Sequence, residues 1–599
     1  MKSRHYGFIN ANAVNGLMPR INLKNICGIR LFARFALKIP IWLLLALTLI
    51  FVVAGCTGTP QPTTTPTSSP SPSPTPGTAL YTGTDGYPWW NDAVFYEIFV
   101  RSFYDSNGDG IGDFNGITAK LDYLNDGDPN TTTDLGITGL WLMPIFPSPS
   151  YHGYDVTDYF AVNPQYGTMD DFERLLTEAH KRGIRVLIDL VLNHTSDQHP
   201  WFQQAKLGPN SPYRDWYIWS ETDPGYLGPW GERVWHPSPT DYYYGIFESF
   251  MPDLNYNNPE VTQQMDEVVC FWLQDVGVDG FRLDAAKHLI EDDTKQENTT
   301  ATHEWYKNFR PAYKAINPQA MTVGELFGDN LSTLASYVEG DQFDLAFNFE
   351  LAYGFLNSAI YGEASFTANP LKYSDRLLPP LQYATFLTNH DQNRALSQLL
   401  GNVNQAKVAA SLLLTSPGVP FIYYGEEIGM EGTKPDEDIR RPMQWDATQN
   451  AGFTSGIPWR APDSNYRTFN VAAEASDPLS LLTHYRTLIQ LRAAHPALRV
   501  GNLNLVSADD PAVFASLRIS QNETILIVIN LRASPLTGYS LRLKNSSLAA
   551  GRYLASPLMG AVPATGLEVD ANGGFAGYMP AELPAYGTLI LQLHFASNQ

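Results

Sequence analysis

Cysteine is nearly absent: three in 599 residues, with Cys27 and Cys56 near the start and Cys270 in an apolar run, Val268-Val269-Cys270-Phe271-Trp272. That number excludes a disulfide framework and a cysteine-built metal site. Basic residues are also scarce. Lys and Arg number 39 against 61 Asp and Glu, and seven of the 39 fall in residues 1–56, which contain no acid. The rest of the chain carries 32 basic and 61 acidic side chains, a balance of −29. A surface of that sign repels nucleic acid and anionic lipid headgroups, so neither is an expected partner. What the chain has in quantity is aromatic side chains, 13% of residues, including 13 Trp and 32 Tyr. Flat rings suit the C–H faces of neutral sugars as well as a large core.

One long apolar run exists, residues 39–55, and it follows the basic segment in the manner of a secretory signal. It ends in Val53-Ala54-Gly55-Cys56, which resembles a bacterial lipobox whose Cys is lipidated after cleavage. Residues 1–56 are therefore read as a lipoprotein signal peptide ending at Cys56. The expected location is extracytoplasmic, at the bacterial cell surface or secreted, with the membrane touched only through the lipid. Residues 57–87 form a linker, almost wholly Thr, Pro and Ser over 57–78, a composition that cannot build a core.

From residue 88 strand and helix patterns alternate. Strand-like runs fall at 93–99, 138–143, 184–191, 278–283, 320–324, 343–347, 383–388 and 419–424. Helical stretches lie between them, such as 169–182 with Gly183 as its stop. Eight strands with intervening helices predict an α/β fold, a (β/α)₈ TIM barrel, over 88–498. Residues 195–256, rich in Trp and irregular, predict a subdomain inserted after strand three. Residues 499–599 alternate short apolar runs with turns and predict a C-terminal all-β sandwich.

Catalytic groups in such barrels come from the C-terminal strand ends. Those ends here carry Asp189 with Asn193-His194, Arg282 with Asp284 and Lys287-His288, Gly324-Glu325, and Asn389-His390-Asp391. Carboxylates, histidines and one arginine thus share a rim. Two carboxyl groups about 5 Å apart suffice to cleave a glycosidic bond with retention. Arg282, two residues before Asp284, points to the same side and holds it ionised, whereas crowding by acids keeps a general acid protonated. Asp105-Ser-Asn107-Gly-Asp109-Gly-Ile111-Gly-Asp113 places oxygen ligands at alternate positions, as Ca²⁺ prefers, but has Gly116 where an EF-hand needs Glu.

Together these segments resemble the ordered signature regions of the α-amylase family of glycoside hydrolases, over roughly residues 88–596. The resemblance implies Asp284 as nucleophile, Glu325 as acid/base and Asp391 as the third carboxylate. It puts Tyr154, His194, Arg282, Lys287, His288, His390 and Asp189 in substrate-binding or supporting positions. It also implies a structural calcium at Asp105, Asn107, Asp109, Ile111 and Asp113, and a second at Asn193, Asp253 and the His288 carbonyl. Tyr151 stands where exo-acting α-glucosidases of the family carry Asp, and Lys287-His288 is present as in α-amylases, so internal α-1,4 cleavage of starch, glycogen or maltooligosaccharides by a monomer is expected. Met251-Pro-Asp-Leu-Asn255 and Arg441-Pro-Met-Gln-Trp445 instead resemble the oligo-1,6-glucosidase and neopullulanase branches. They leave transglycosylation or a broader α-glucan activity open. A non-catalytic glucan-binding protein is the remote alternative, disfavoured by the presence of all three carboxylates.

Overall fold

The computed structural model describes residues 82–563 and 565–596. The leader, Cys56 and the Thr/Pro/Ser stretch lie outside the described residues. Among those described, no helix is long and apolar enough to cross a membrane.

All eight barrel strands form where the sequence places them: β1 (Phe95–Ile98), β2 (Gly139–Leu142), β3 (Arg185–Leu190), then, after the insertion, β7 (Gly280–Leu283), β8 (Met321–Gly324), β9 (Leu345–Phe347), β10 (Tyr383–Thr385) and β11 (Val419–Tyr423). They pair in parallel and close into a barrel, β1 meeting both β2 and β11. Side chains alternate between two apolar layers because the strand period is two. Trp141, Leu187, Val323, Phe347 and Phe421 fill the interior. Leu140, Leu142, Val186, Ile188, Phe281 and Leu283 face the helices. Both faces are covered, so the strands read as short apolar runs rather than polar–apolar alternation.

Helix Met169–Lys181 illustrates how the outer layer is held. Phe172, Leu175, Leu176 and Ala179 form its buried stripe, Thr168 and Asp171 make a reciprocal capping box, and Gly183 at φ 74° follows its end. Gly280 admits the close passage of β7 over β8: a Cβ there would lie 2.0 Å from the Met321 carbonyl oxygen.

The insertion after β3 carries a three-stranded antiparallel sheet, β4 (Trp219–Ser220), β5 (Trp235–Pro237) and β6 (Tyr242–Tyr244), with β6 central. After helix Leu481–Ala494 and the short helix opened by Pro496, eight strands form one antiparallel ladder. They are β12 (Asn502–Ala508), β13 (Val513–Ile519), β14 (Thr524–Asn530), β15 (Leu541–Leu543), β16 (Gly551–Met559), β17 (Leu567–Val569), β18 (Phe575–Tyr578) and β19 (Thr588–Phe595). The outermost strands β17 and β18 touch, so the two halves of the ladder fold face to face around Leu517, Leu526, Leu541 and Leu591. Two faces packed on one core make the expected sandwich, built from one continuous ladder that curls over.

Candidate active site

Strand register assembles the rim. Asp189 on β3 pairs with Arg282 on β7, and Arg282 pairs with Val323 on β8. Two residues on, in the same inward phase, Asp284 and Glu325 stand side by side, and the Glu325 N–H donates to the Leu283 carbonyl at 3.1 Å. Ala285 then takes a left-handed conformation, φ 47° and ψ 35°, which turns the chain away directly after Asp284. Backbone of this kind in a non-glycine residue gathers at functional sites.

Arg282 is the hub, 1% exposed. Its Nη1 donates to Asp189 Oδ1 at 2.7 Å and to Asp284 Oδ1 at 2.6 Å, and its Nη2 donates to Glu325 Oε2. Burial pushes the Glu325 carboxyl up, with the Asp284 and Asp391 charges adding and Arg282 opposing. Desolvation, more than the expected crowding by acids, raises it. Burial likewise pushes Asp189 up, to about 7, against the pull of Arg282.

A second chain of contacts runs through His390. Its Nδ1 donates to Glu97 Oε1 at 2.6 Å, and its Nε2 lies 2.7 Å from the Tyr154 hydroxyl and 3.2 Å from Asp391 Oδ2. Tyr154 stacks on the His390 ring at 17°, and its hydroxyl donates a hydrogen bond to Asp189 Oδ2 at 3.1 Å. Burial alone depresses a histidine, yet Asp391 and Glu97 outweigh it and push His390 up to about 10. The ring is therefore an imidazolium at neutral pH. Asp391 is held low, burial being overcome by His390 and Arg440, whose Nη2 reaches Asp391 Oδ1 at 2.8 Å.

These groups open on a cavity of about 640 Å³ whose walls are mostly apolar, within the ~300–1,000 Å³ span of ligand pockets. Tyr154, His194, Asp284, Lys287, His288, Glu325 and Asp391 line it. Arg282, Asp189 and His390, also expected at the substrate, stand behind that wall and bond to Asp284, Tyr154 and Asp391 respectively. Lys287 is committed to its own loops, donating to the Phe327 carbonyl at 2.8 Å and pairing with Glu297 at 2.9 Å. His288 Nδ1 meets the Gln296 carbonyl at 2.9 Å, and burial pushes the ring down to about 4.

Sequence reading missed Arg440, buried against Asp391, and the apolar rim of Trp230, Phe247 and Phe327, which Met251 of the Met251–Asn255 segment joins. Arg440 precedes the Arg441–Trp445 motif by one residue, which was the available signal. The rim lies on loops without periodicity.

Among the described residues no three His, Cys, Asp or Glu side chains converge as a metal site. A cation here must therefore also use amide or backbone oxygen. In the loop after β1, Asp105 Oδ1 accepts from Asn107 N at 3.0 Å and Gly108 N at 2.7 Å, while Asn107 and Asp109 accept from the backbone two residues on. Asp113 caps helix Phe114–Ala119. Each Asp retains further lone pairs, so the donor chemistry fits a hard cation. Beside the insertion, Asn193 Oδ1, Asp253 Oδ2 and Glu291 Oε1 are buried without a hydrogen-bond partner. Burial and the Glu291 charge push Asp253 up, and burial pushes Glu291 up to about 7. That donor set also fits a cation. Glu291 is a residue the sequence reading missed; it stands three positions after His288.

The fold and this rim define a (β/α)₈ enzyme acting on glucosidic bonds. More specifically, the chain belongs to the α-amylase family: the family model "Alpha amylase, catalytic domain" matches residues 97–501. The chain is 43% identical over 450 residues to "Alpha-amylase 3" of Dictyoglomus thermophilum, covering 74% of this chain and 85% of that protein. It is 35% identical over 515 residues to the "Oligo-1,6-glucosidase" of Parageobacillus thermoglucosidasius, covering 74% and 90%. The crystal structure of the α-amylase from H. orenii superposes with TM-score 0.74 at 43% identity, covering 84% of this chain and 99% of that one.

Proposed function

We propose that the protein is a retaining, endo-acting hydrolase of α-1,4-glucosidic bonds in starch, glycogen or maltooligosaccharides. The carrying observation is that one guanidinium holds both Asp284 and Glu325, one on each terminal nitrogen. Two carboxyl groups tied to one guanidinium suit the close spacing, roughly 5–5.5 Å, of a retaining pair. Asp284, with Oδ1 fixed on Arg282, uses its other oxygen to attack the anomeric carbon. Glu325, protonated, gives its proton to the departing glycosidic oxygen. The C1–O bond breaks, the leaving sugar departs as an alcohol, and a glycosyl ester forms on Asp284. Glu325, now a carboxylate, takes a proton from water, whose oxygen displaces Asp284 and restores the α configuration. Asp391 and the Tyr154 ring position the sugar at the reacting centre, and the negative charge of Asp391 favours its oxocarbenium character.

Internal cleavage is supported by Tyr151, which places no carboxylate against a sugar chain end. A broader activity, including glycosyl transfer, is favoured by the apolar rim, which would hold sugars and displace water, and by the likeness to the oligo-1,6-glucosidase. A timed product profile on amylose, pullulan and maltotriose decides: early mixed-length maltooligosaccharides support endo cleavage, whereas products longer than maltotriose show transfer.

Calcium is proposed as a structural ion at Asp105, Asn107, Asp109, Ile111 and Asp113, and at Asn193, Asp253 and His288 with Glu291 added. Bound there, it would neutralise buried acid and tie the insertion to the barrel. Lipidation at Cys56 is proposed to hold the enzyme at the membrane outside the cytoplasm, and the enzyme is proposed to act as a monomer. Cys56→Ser should release it from the membrane fraction; retention there would remove the anchor.

A further inference from the structure

A groove of about 570 Å³ separates the outer helices of the barrel from the C-terminal ladder, and it shares no lining residue with the catalytic cavity. One wall is helix Ser365–Leu377; the other is β12 with the start of β13. Leu503 and Leu505 of β12 pack toward the barrel, whereas Val506 enters the core of the ladder. On the helix wall stand Asn369, Lys372 and Asp375, and among the described residues no hydrogen bond or ion pair engages their side chains. The neighbouring face of the same helix carries Phe366 and Tyr373, seven residues apart and so in line, about 10 Å from one to the other along the axis. They are 37% and 52% exposed. Tyr361, 67% exposed, packs on Phe366 at 5.3 Å and 34°. By the helical period, Asn369 falls between these rings and the groove.

The frame under the rings is tightly fixed. Gly354 of helix Phe349–Tyr361 lets the two helices close up, since a Cβ there would lie 2.6 Å from the Phe366 carbonyl oxygen. The Thr367 hydroxyl donates to the Gly354 carbonyl at 3.1 Å, and Ala364 N donates to the Pro511 carbonyl at 2.8 Å. Three large rings held in solvent on a fixed frame mark an interaction surface. Its chemistry selects the ligand. The acidic balance of −29 repels polyanions. Uncommitted amide, ammonium and carboxyl groups beside the rings break up the apolar area that a protein interface would need at its centre. Rings for C–H faces, and polar groups for hydroxyls, suit a neutral chain of sugars.

We propose that Tyr361, Phe366 and Tyr373, with the groove beside them, form a second binding site for an α-glucan chain, separate from the catalytic cavity. The identity of the glucan rests on the hydrolase reading above. Holding one stretch of a polymer raises the effective concentration of its other stretches at the cavity. The site therefore matters for long or granular substrates and not for short ones.

The test measures adsorption of the full-length enzyme to starch granules in an Asp284→Asn background, where binding proceeds without turnover. Adding Tyr361→Ala and Tyr373→Ala together should weaken adsorption about tenfold, a size typical of losing two ring contacts, at an unchanged melting temperature. Tyr361→Phe with Tyr373→Trp, which keeps both rings, should restore it. With Asp284 intact, the alanine pair should lower kcat/KM on amylose and leave that on maltohexaose as it was. Adsorption equal to that of the parent overturns the site. So does self-association in sedimentation that the alanine pair abolishes, because the face then belongs to a second copy. An enzyme inert on maltohexaose overturns the hydrolase reading instead, and granule adsorption still reports on the rings.

Discussion

Two groups of buried acids meet the C-terminal end of the barrel, and they are balanced differently. Asp189, Asp284 and Glu325 surround Arg282, so whatever charge these carboxyl groups carry is met by a cation from the chain itself. Asp253 and Glu291, beside Asn193, leave carboxylate oxygens buried and unbonded. Burying a carboxylate is costly unless it is paired. The first group can therefore be preorganised by folding alone, whereas the second would gain its counter-charge from the calcium proposed above. On that proposal the Asp284–Glu325 pair is independent of metal supply, and the metal would act on the insertion that frames the cavity.

The largest expected effect lies in the first group. Asp284→Asn should lower kcat on maltohexaose by at least about 10⁴-fold, as loss of a nucleophile does, with an unchanged melting temperature. A fall of less than tenfold would take Asp284 out of the reaction. Arg282→Met should cost both activity and folding, because it strands three carboxylates; breaking a buried pair costs about 3–5 kcal/mol, read from denaturant unfolding. A variant as stable as wild type would mean that Arg282 does not balance the cluster. The second group should respond to calcium. A saturating ion at a hundredfold excess over its dissociation constant adds about 2.7 kcal/mol to stability. Glu291→Gln should lose much of that gain, and Asp284→Asn should keep it. Equal calcium responses in the two variants would erase the contrast between the groups.

The smallest effect is a pH dependence at His390. Its folded pKa, about 10, lies above the ordinary histidine value because Asp391 and Glu97 outweigh burial. The stability it contributes is fully present below about pH 6.5 and is lost as pH rises through about 10. His390→Asn should flatten that part of the stability profile, measured by urea midpoints. Separately, kcat should fall on the alkaline side as the raised Glu325 carboxyl loses its proton.

Much of this was legible in the residues. Eight apolar runs located every barrel strand, because strands buried on both faces leave a continuous signal. Asp284, Glu325 and Asp391 were legible because strand ends face one rim, and period-two alternation put Arg282 beside Asp284. What escaped depends on contacts distant in sequence. Glu291 joins Asp253 only when the insertion folds onto the barrel, and Arg440 meets Asp391 from 49 residues away. Arg282 satisfies the period-two rule, but that rule cannot show that the side chain is sealed behind the wall. The curled ladder of the C-terminal domain also escaped, since alternation gives faces but not how a sheet bends.

The central claim is that Asp284 carries the glycosyl group. It is tested most directly by incubating the enzyme with a fluorinated α-glucosyl fluoride that slows the second step, digesting the protein, and locating the label by mass spectrometry. One added glycosyl unit on Asp284 is expected. A label on another residue, or turnover to the β anomer with no covalent adduct, would contradict it.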